Sequence, residues 1–256
     1  MVNLTINGQK LRAREDATIL EVARDNDIDI PTLCYHEAVA ASGACRLCLV
    51  EIGAGDQKRL VASCLYPVAE GLVVATSSER VLNSRRMILK LLLARCSDSE
   101  VLQDLAHQLG VKETPFEPEH KQCILCGRCV RVCQKAVGPA AISWAERGVD
   151  RKIAFPFYET SDACIGCGAC AYVCPIETIK LEDSQDTRTL IMPNPRMPQA
   201  EFKLKKCPTC GSYWATERQL EYIARNLDLA PELLDSCLAC REKVLLRSLS
   251  SITKEV

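Results

Sequence analysis

Sixteen of the chain's 17 cysteines fall into regular groups, and no other feature restricts its possible folds as much. Tight Cys-x-x-Cys steps recur at Cys45/Cys48, Cys123/Cys126/Cys129, Cys164/Cys167/Cys170, Cys207/Cys210 and Cys237/Cys240. Two thiols three residues apart converge on one metal more readily than they serve a disulfide framework. The odd total also argues against a secreted, fully cross-linked scaffold. The N-terminus, MVNLTINGQKL, lacks the charged and apolar regions of a signal peptide. The longest apolar stretch, around Met87–Ala94, is too short to span a bilayer. The expectation is a protein of a reducing compartment, the cytoplasm, without a membrane span.

Composition adds two points. Aromatic residues make up only 5% of the chain, so small cores here need another source of stability, which metal–thiolate bonds supply. With 32 Lys+Arg against 33 Asp+Glu, the chain lacks the basic excess of a nucleic-acid binder.

The hydrophobic pattern predicts an α+β chain. Val2–Ile6 alternates apolar and polar, Asn7-Gly8 supplies a hairpin turn, and Lys10–Arg14 returns. Thr18-Ile19-Leu20-Glu21 is a capping box opening a short helix. Leu49–Ile52, Leu60–Ala62 and Leu72–Ala75 are expected strands. Strand, turn, strand, helix and cysteine loop is the order of a β-grasp ferredoxin domain, assigned to 1–78. A helical connector follows at 79–118. There Val81, Ile88, Leu91 and Leu92 are expected on one side of a helix over Glu79–Arg95, and Ser97-x-x-Glu100 is expected to cap the next. Residues 119–191 form a ferredoxin-like domain with a duplicated cysteine motif. Met192–Pro198 is a proline-rich linker that cannot continue a helix. It leads into a small four-cysteine metal-binding tail at 192–256, with a helix at Thr216–Asn226.

Cys34, Cys45, Cys48 and Cys64 are spaced C-x10-C-x2-C-x15-C. Four thiolates are what a [2Fe–2S] cluster requires, and the plant-type pattern is C-x4-C-x2-C with a distant fourth cysteine. The spacing is thus a variant with a longer first loop; a zinc site is the alternative reading of four cysteines. Arg46 is placed to act on the cluster electrostatically.

Residues 1–95 resemble the N-terminal domain of the large iron–sulfur subunit of respiratory complex I. They are equally similar to the small iron–sulfur (diaphorase) subunit of NAD-linked bidirectional hydrogenases. The carrying residues are Ile30-Pro-Thr-Leu-Cys34-Tyr-His, Gly43-Ala-Cys45-Arg-Leu-Cys48-Leu-Val-Glu51, Ala62-Ser-Cys64 and the helix Arg85–Ala94. The resemblance implies a [2Fe–2S] cluster on those four cysteines. Such subunits next carry His-x3-Cys-x2-Cys-x5-Cys for a further [4Fe–4S] cluster. Here Cys96 stands alone, so that cluster is expected to be absent and Cys96 to be a buried free thiol.

Cys123, Cys126, Cys129 and Cys133 form C-x2-C-x2-C-x3-C, and Cys164, Cys167, Cys170 and Cys174 repeat it, followed by Pro175. In two-cluster ferredoxins the fourth cysteine ligates the other cluster. The expected sets for two [4Fe–4S] clusters are therefore Cys123, Cys126, Cys129 and Cys174, and Cys164, Cys167, Cys170 and Cys133. Each fourth cysteine is expected to start a helix. Ile124, Leu125 and Ile165 would shield sulfur from water, which tunes potential.

In the tail, Cys207-Pro-Thr-Cys210 and Cys237-Leu-Ala-Cys240 form two knuckle-like turns. Two such turns make an all-sulfur tetrahedral site. A structural zinc ion is the first assignment and a third [4Fe–4S] cluster the second.

No Gly-rich nucleotide loop follows a predicted strand, and His36, His107 and His120 are scattered. The chain is thus expected to relay electrons rather than to turn over NAD(P)H itself. Its expected place is a non-catalytic subunit of a multi-subunit NAD(P)-linked oxidoreductase: a hydrogenase/diaphorase, a formate dehydrogenase, or a bifurcating or transhydrogenase assembly. The expected partners are a flavin/NAD(P)H-binding subunit and a second catalytic oxidoreductase subunit. The alternatives are the iron–sulfur subunit of a succinate dehydrogenase/fumarate reductase-like enzyme, whose first loop is shorter, and a free multi-cluster ferredoxin.

Overall fold

The computed structural model describes the backbone of residues 1–252 and the side chains of residues 1–244 and 246. The first sheet grows from a hairpin. Strands β1 (Val2–Ile6) and β2 (Gln9–Ala13) pair in register across Asn7-Gly8, both at positive φ. Val2, Leu4 and Ile6 point inward on the strand period of two. Strands β3 (Leu49–Ile52), β4 (Arg59–Ala62) and β5 (Leu72–Ala75) complete a five-stranded sheet in the order β2-β1-β5-β3-β4. The β1–β5 pair is parallel and the others are antiparallel. Helix α1 (Ile19–Asp25) closes the sheet with Ile19, Leu20, Val22 and Ala23. Its capping box forms as expected: Glu21 N–H donates to Thr18 Oγ1 at 3.3 Å, and Thr18 N–H donates to Glu21 Oε2 at 2.8 Å.

Helix α2 (Glu79–Arg95) has the expected extent, but its buried stripe differs. Val81, Arg85 and Leu89 are buried at i, i+4 spacing, whereas Leu91 is 51% exposed. An arginine on the inner face displaced the apolar register inferred from the aliphatic run. Leu89→Ala should therefore lower stability by about 2–5 kcal/mol, while Leu91→Ala should change it by roughly 0.5 kcal/mol at most; midpoints of anaerobic chemical denaturation compare the two. Helix α3 (Glu100–Gln108) has Ser99, not Ser97, at its N-cap position, and the Ser99 hydroxyl makes no capping hydrogen bond, so the expected capping box does not form. The Ser97 hydroxyl instead donates to Asp98 Oδ1 at 2.9 Å.

The duplicated motif folds around two one-turn helices, α4 (Arg128–Arg131) and α5 (Ala169–Tyr172). Each helix begins before the third cysteine of its motif, not at the fourth as expected. Cys133 lies in the π-helical turn Val132–Val137 that continues α4, and Cys174 follows α5. Strands β6 (Ser143–Ala145) and β7 (Lys152–Ala154) form a small hairpin.

Strands β8 (Lys180–Ser184), β9 (Thr187–Ile191), β10 (Ala200–Lys206) and β11 (Tyr213–Thr216) form an antiparallel sheet in the order β11-β10-β9-β8. The sheet passes through the proline-rich segment expected to be a linker. That segment is packed: Met192, Asn194 and Met197 are buried, the two methionines beside Phe155, Leu190 and Phe202. It turns the chain so that Ala200, Phe202 and Leu204 face inward. Helix α6 (Glu217–Leu227), capped by Thr216, and helix α7 (Leu238–Ile252) complete the chain. Among the described residues, no helix is long and apolar enough to cross a membrane.

Candidate metal-binding sites

All 17 cysteines are free, and most are buried or half-buried. Cys34, Cys45 and Cys48 sit on the loop between α1 and β3, and Cys64 follows β4. All four are buried at 1–7% exposure. The Leu33 N–H donates to Cys45 Sγ, and the Cys45 N–H to Cys34 Sγ, both at 3.4 Å. Cys48 and Cys64 Sγ lie 3.3 Å apart. Within each pair the hydrogen bond between the two sulfurs lowers one thiol and raises the other. The Cys45 thiol lowers Cys34 to about 5, and the Cys64 thiol lowers Cys48 to about 6, while Cys45 and Cys64 are raised. Thiolate is the form that binds metal, so the donor set fits a four-thiolate group.

In the duplicated motif, burial raises Cys123, Cys126 and Cys129, and each also feels the charge of Cys174. Burial likewise raises Cys164 to about 11, Cys167 and Cys170, and each feels Cys133. Cysteines of the two motifs are close neighbours in one buried cluster, with Cys129, Cys164 and Cys170 packed beside Cys123, Cys133 and Cys174. Backbone donors reach the sulfur: Leu125 N–H lies 3.3 Å from Cys123 Sγ. Gly166 has φ +64, and a Cβ there would meet the Phe202 ring at 2.5 Å. Its lack of a side chain lets the second cysteine loop press against β10.

The two cysteine regions meet in one core. Leu33, Cys34, Cys45 and Leu47 pack with Leu89, Cys96, Leu102 and Ile176, and Ile124, Cys126 and Cys174 border the same cluster. Arginines from α4 fasten the contact. Arg128 Nη1 donates to Leu33 O at 3.1 Å, Arg131 Nη2 donates to Cys34 O at 2.8 Å, and Arg131 Nη1 reaches Ala40 O. Arg95 Nε also donates to Cys123 O at 2.8 Å. None of these arginine roles was foreseen from the sequence; the basic residues inside a cysteine motif, Arg128 and Arg131, were the available signal. Cys96 is a buried thiol, 2% exposed, pushed up to about 12 by burial. His107 lies on α3, away from any cysteine motif.

In the tail, the Sγ atoms of Cys207, Cys210, Cys237 and Cys240 all lie within 4.8 Å of one another. A tetrahedral zinc–thiolate site with bonds of about 2.3 Å places its sulfurs about 3.8 Å apart, so the spread fits a single ion. The Cys237 N–H donates to Cys207 Sγ at 3.4 Å, and with the Cys210 N–H it lowers Cys207 to about 5. The tail touches both motifs: Thr216 Oγ1 donates to Ile165 O in the second, and Tyr222 OH donates at 3.2 Å to Val137 O in the turn that carries Cys133 of the first.

Two regions of the chain match known iron–sulfur domain families. Residues 1–79 match the 2Fe-2S iron-sulfur cluster binding domain, and residues 118–181 match the 4Fe-4S dicluster domain. The NADP-reducing hydrogenase subunit HndD of Solidesulfovibrio fructosivorans is 36% identical over 68% of this chain and 35% of its own length. The NADPH-Fe(3+) oxidoreductase subunit alpha of Geobacter sulfurreducens is 31% identical over 88% of this chain and 28% of its own. The mitochondrial NADH-ubiquinone oxidoreductase 78 kDa subunit of Candida albicans is 30% identical over 59% of this chain and 25% of its own. The chain thus spans between about a quarter and a third of the length of these curated relatives. A solved NAD+-reducing [NiFe]-hydrogenase contains a chain that is 30% identical with a TM-score of 0.55, covering 60% of this chain and 74% of that one. The chain belongs to the iron–sulfur protein family, shared by NAD(P)-linked hydrogenases and NADH-ubiquinone oxidoreductases, that joins a [2Fe–2S] domain to a [4Fe–4S] dicluster domain.

Proposed function

We propose that this chain is the electron-relay subunit of a multi-subunit NAD(P)-linked oxidoreductase. It would hold one [2Fe–2S] cluster on Cys34, Cys45, Cys48 and Cys64. Two [4Fe–4S] clusters would sit on Cys123, Cys126, Cys129 and Cys174, and on Cys164, Cys167, Cys170 and Cys133. Cys207, Cys210, Cys237 and Cys240 would hold a structural zinc ion. When bound, the clusters supply one-electron chemistry, and the protein supplies position, burial and electrostatics.

The observation that carries the reading is the shared core between the first two sites. Cys34 and Cys45 occupy the same buried cluster that Cys126 and Cys174 border. The arginines of α4 hold the backbone of the Leu33–Cys34 loop directly. Packed side chains and these hydrogen bonds join the two loops, which supports a relay of three sites in series. Water is kept from the first site, whose cysteines are at most 7% exposed.

The partners would be a flavin/NAD(P)H-binding subunit at one end and a second oxidoreductase subunit at the other, in the cytoplasm. Anaerobic affinity purification of the tagged chain from its native cells tests this. The expected result is co-isolation with a nicotinamide-binding flavoprotein, and bleaching of the cluster absorbance by NAD(P)H only when that flavoprotein is present. Recovery as a free monomer, or only with proteins lacking a nicotinamide site, would overturn it.

A further inference from the structure

Arg85 is a buried cation with no carboxylate of its own. It lies on the inner face of α2 at 4% exposure, between Val81 and Leu89. Its guanidinium makes one hydrogen bond, from Nη2 to Leu49 O at 2.7 Å, and Nε has no partner. The nearest buried carboxylate is engaged elsewhere: Glu51 Oε1 lies 3.9 Å from Arg80 and Glu51 Oε2 lies 3.8 Å from Lys58. Among the described residues, no carboxylate lies within ion-pair distance of Arg85. Burial pulls its pKa down, against the opposing charges of Cys48 and Asp29.

An unpaired buried charge costs several kcal/mol, and replacing it by an apolar residue is often neutral or stabilising. Asp29 acts on Arg85 only from an exposed position and without an ion pair, so a fold that keeps this buried charge calls for a further, buried counter-charge. The group that Arg85 approaches is the cysteine site itself, because its one acceptor, Leu49 O, belongs to the residue after Cys48. A four-thiolate [2Fe–2S] group is a net dianion when both irons are ferric, and gains one more negative charge on reduction.

We propose that Arg85 is the buried counter-ion of the [2Fe–2S] site, set there to favour its reduced form. This rests on the assignment of that cluster to Cys34, Cys45, Cys48 and Cys64. In a medium of intermediate effective dielectric, a cation one shell from the cluster stabilises the added electron by enough to shift the one-electron equilibrium about tenfold, or about 59 mV. Exposed Arg80 acts through solvent and contributes little.

The test is an EPR-monitored redox titration of the full chain, purified anaerobically, with Arg85→Met, Arg85→Gln, Arg85→Lys and Arg80→Met. Glutamine keeps a donor for Leu49 O without the charge; lysine keeps the charge. The [2Fe–2S] equilibrium should move about tenfold against reduction in the Met and Gln variants, and stay near wild type in Arg85→Lys and Arg80→Met. Loss of the cluster in both neutral variants with retention in Arg85→Lys also supports the role. An unchanged potential in Arg85→Gln, an equal shift in Arg85→Lys, or cluster loss in all three Arg85 variants overturns it and assigns Arg85 to packing. A wild-type chain without a [2Fe–2S] signal would instead refute the cluster assignment.

Discussion

Cys174→Ala should remove the same iron signals as Cys123→Ala, although 51 positions of sequence separate the two residues. Cys133→Ala should match Cys164→Ala and not its own motif-mate Cys123→Ala. Each substitution is expected to lower iron from about ten per chain to about six, since one [4Fe–4S] cluster loses a ligand while the other clusters keep theirs. The reason is geometric. A short helix takes in the third cysteine of each motif, and the chain beyond it carries the fourth cysteine away from the first two. The charge of Cys174 bears on Cys123, Cys126 and Cys129, and that of Cys133 bears on Cys164, Cys167 and Cys170. Iron analysis with low-temperature EPR of the four variants sorts them into two classes. A sorting by motif, with Cys133→Ala grouped with Cys123→Ala, would refute crossed ligation. The predicted effect is large because a thiolate ligand has no nearby substitute. The remaining cysteine in the region, Cys96, is held protonated by burial at about 12.

The parts of the fold that were legible in the sequence are those with local causes. The Asn7-Gly8 hairpin and the Thr18–Glu21 capping box depend on a few adjacent residues, and both formed in place. The family was legible for the same reason, because cluster motifs are short and their spacing is chemistry. What the sequence left unread depends on distant partners. The buried stripe of α2 follows from Arg85 reaching Leu49 O, 36 positions away, which no helical period in Met87–Ala94 reports. Strand β10 was unread because its inward residues Ala200, Phe202 and Leu204 alternate with charged ones beside a run of prolines. It is ordered by pairing with β9 across a segment that only burial of Met192 and Met197 makes compact. The arginines of α4 read as ordinary basic residues until the Leu33–Cys34 carbonyls were placed before them.

Removal of the tail ion should melt the tail and leave the clusters in place. Among the described residues the apolar support around Cys207, Cys237 and Cys240 is slight, with Trp214 as the large neighbour, and the adjoining cluster has Ala215, Leu220 and Leu234 buried, with Ile223 and Ala224 packed against them. Cores of that size do not offset the entropy of ordering some forty residues. A structural zinc ion supplies an apparent ~10–16 kcal/mol in small zinc domains, so the site, rather than apolar burial, holds β11, α6 and α7 together. The sulfur spread of at most 4.8 Å supports the proposal of one ion over a cubane, whose thiolates are held apart by four irons. The purified chain should therefore contain about one zinc with about ten iron. Cys207→Ala should lose the zinc, raise amide hydrogen exchange from β11 onward, and leave visible cluster absorbance near wild type. Some local effect is expected on the second motif and on the turn that carries Cys133, because the contacts of Thr216 with Ile165 and of Tyr222 with Val137 loosen. That effect should appear as faster loss of iron from the Cys164 set in air, with the Cys34 set unchanged. About fourteen iron and no zinc would assign a third [4Fe–4S] cluster to the tail instead and extend the electron path through it. Unchanged exchange in Cys207→Ala would mean that packing against the dicluster domain alone orders these elements.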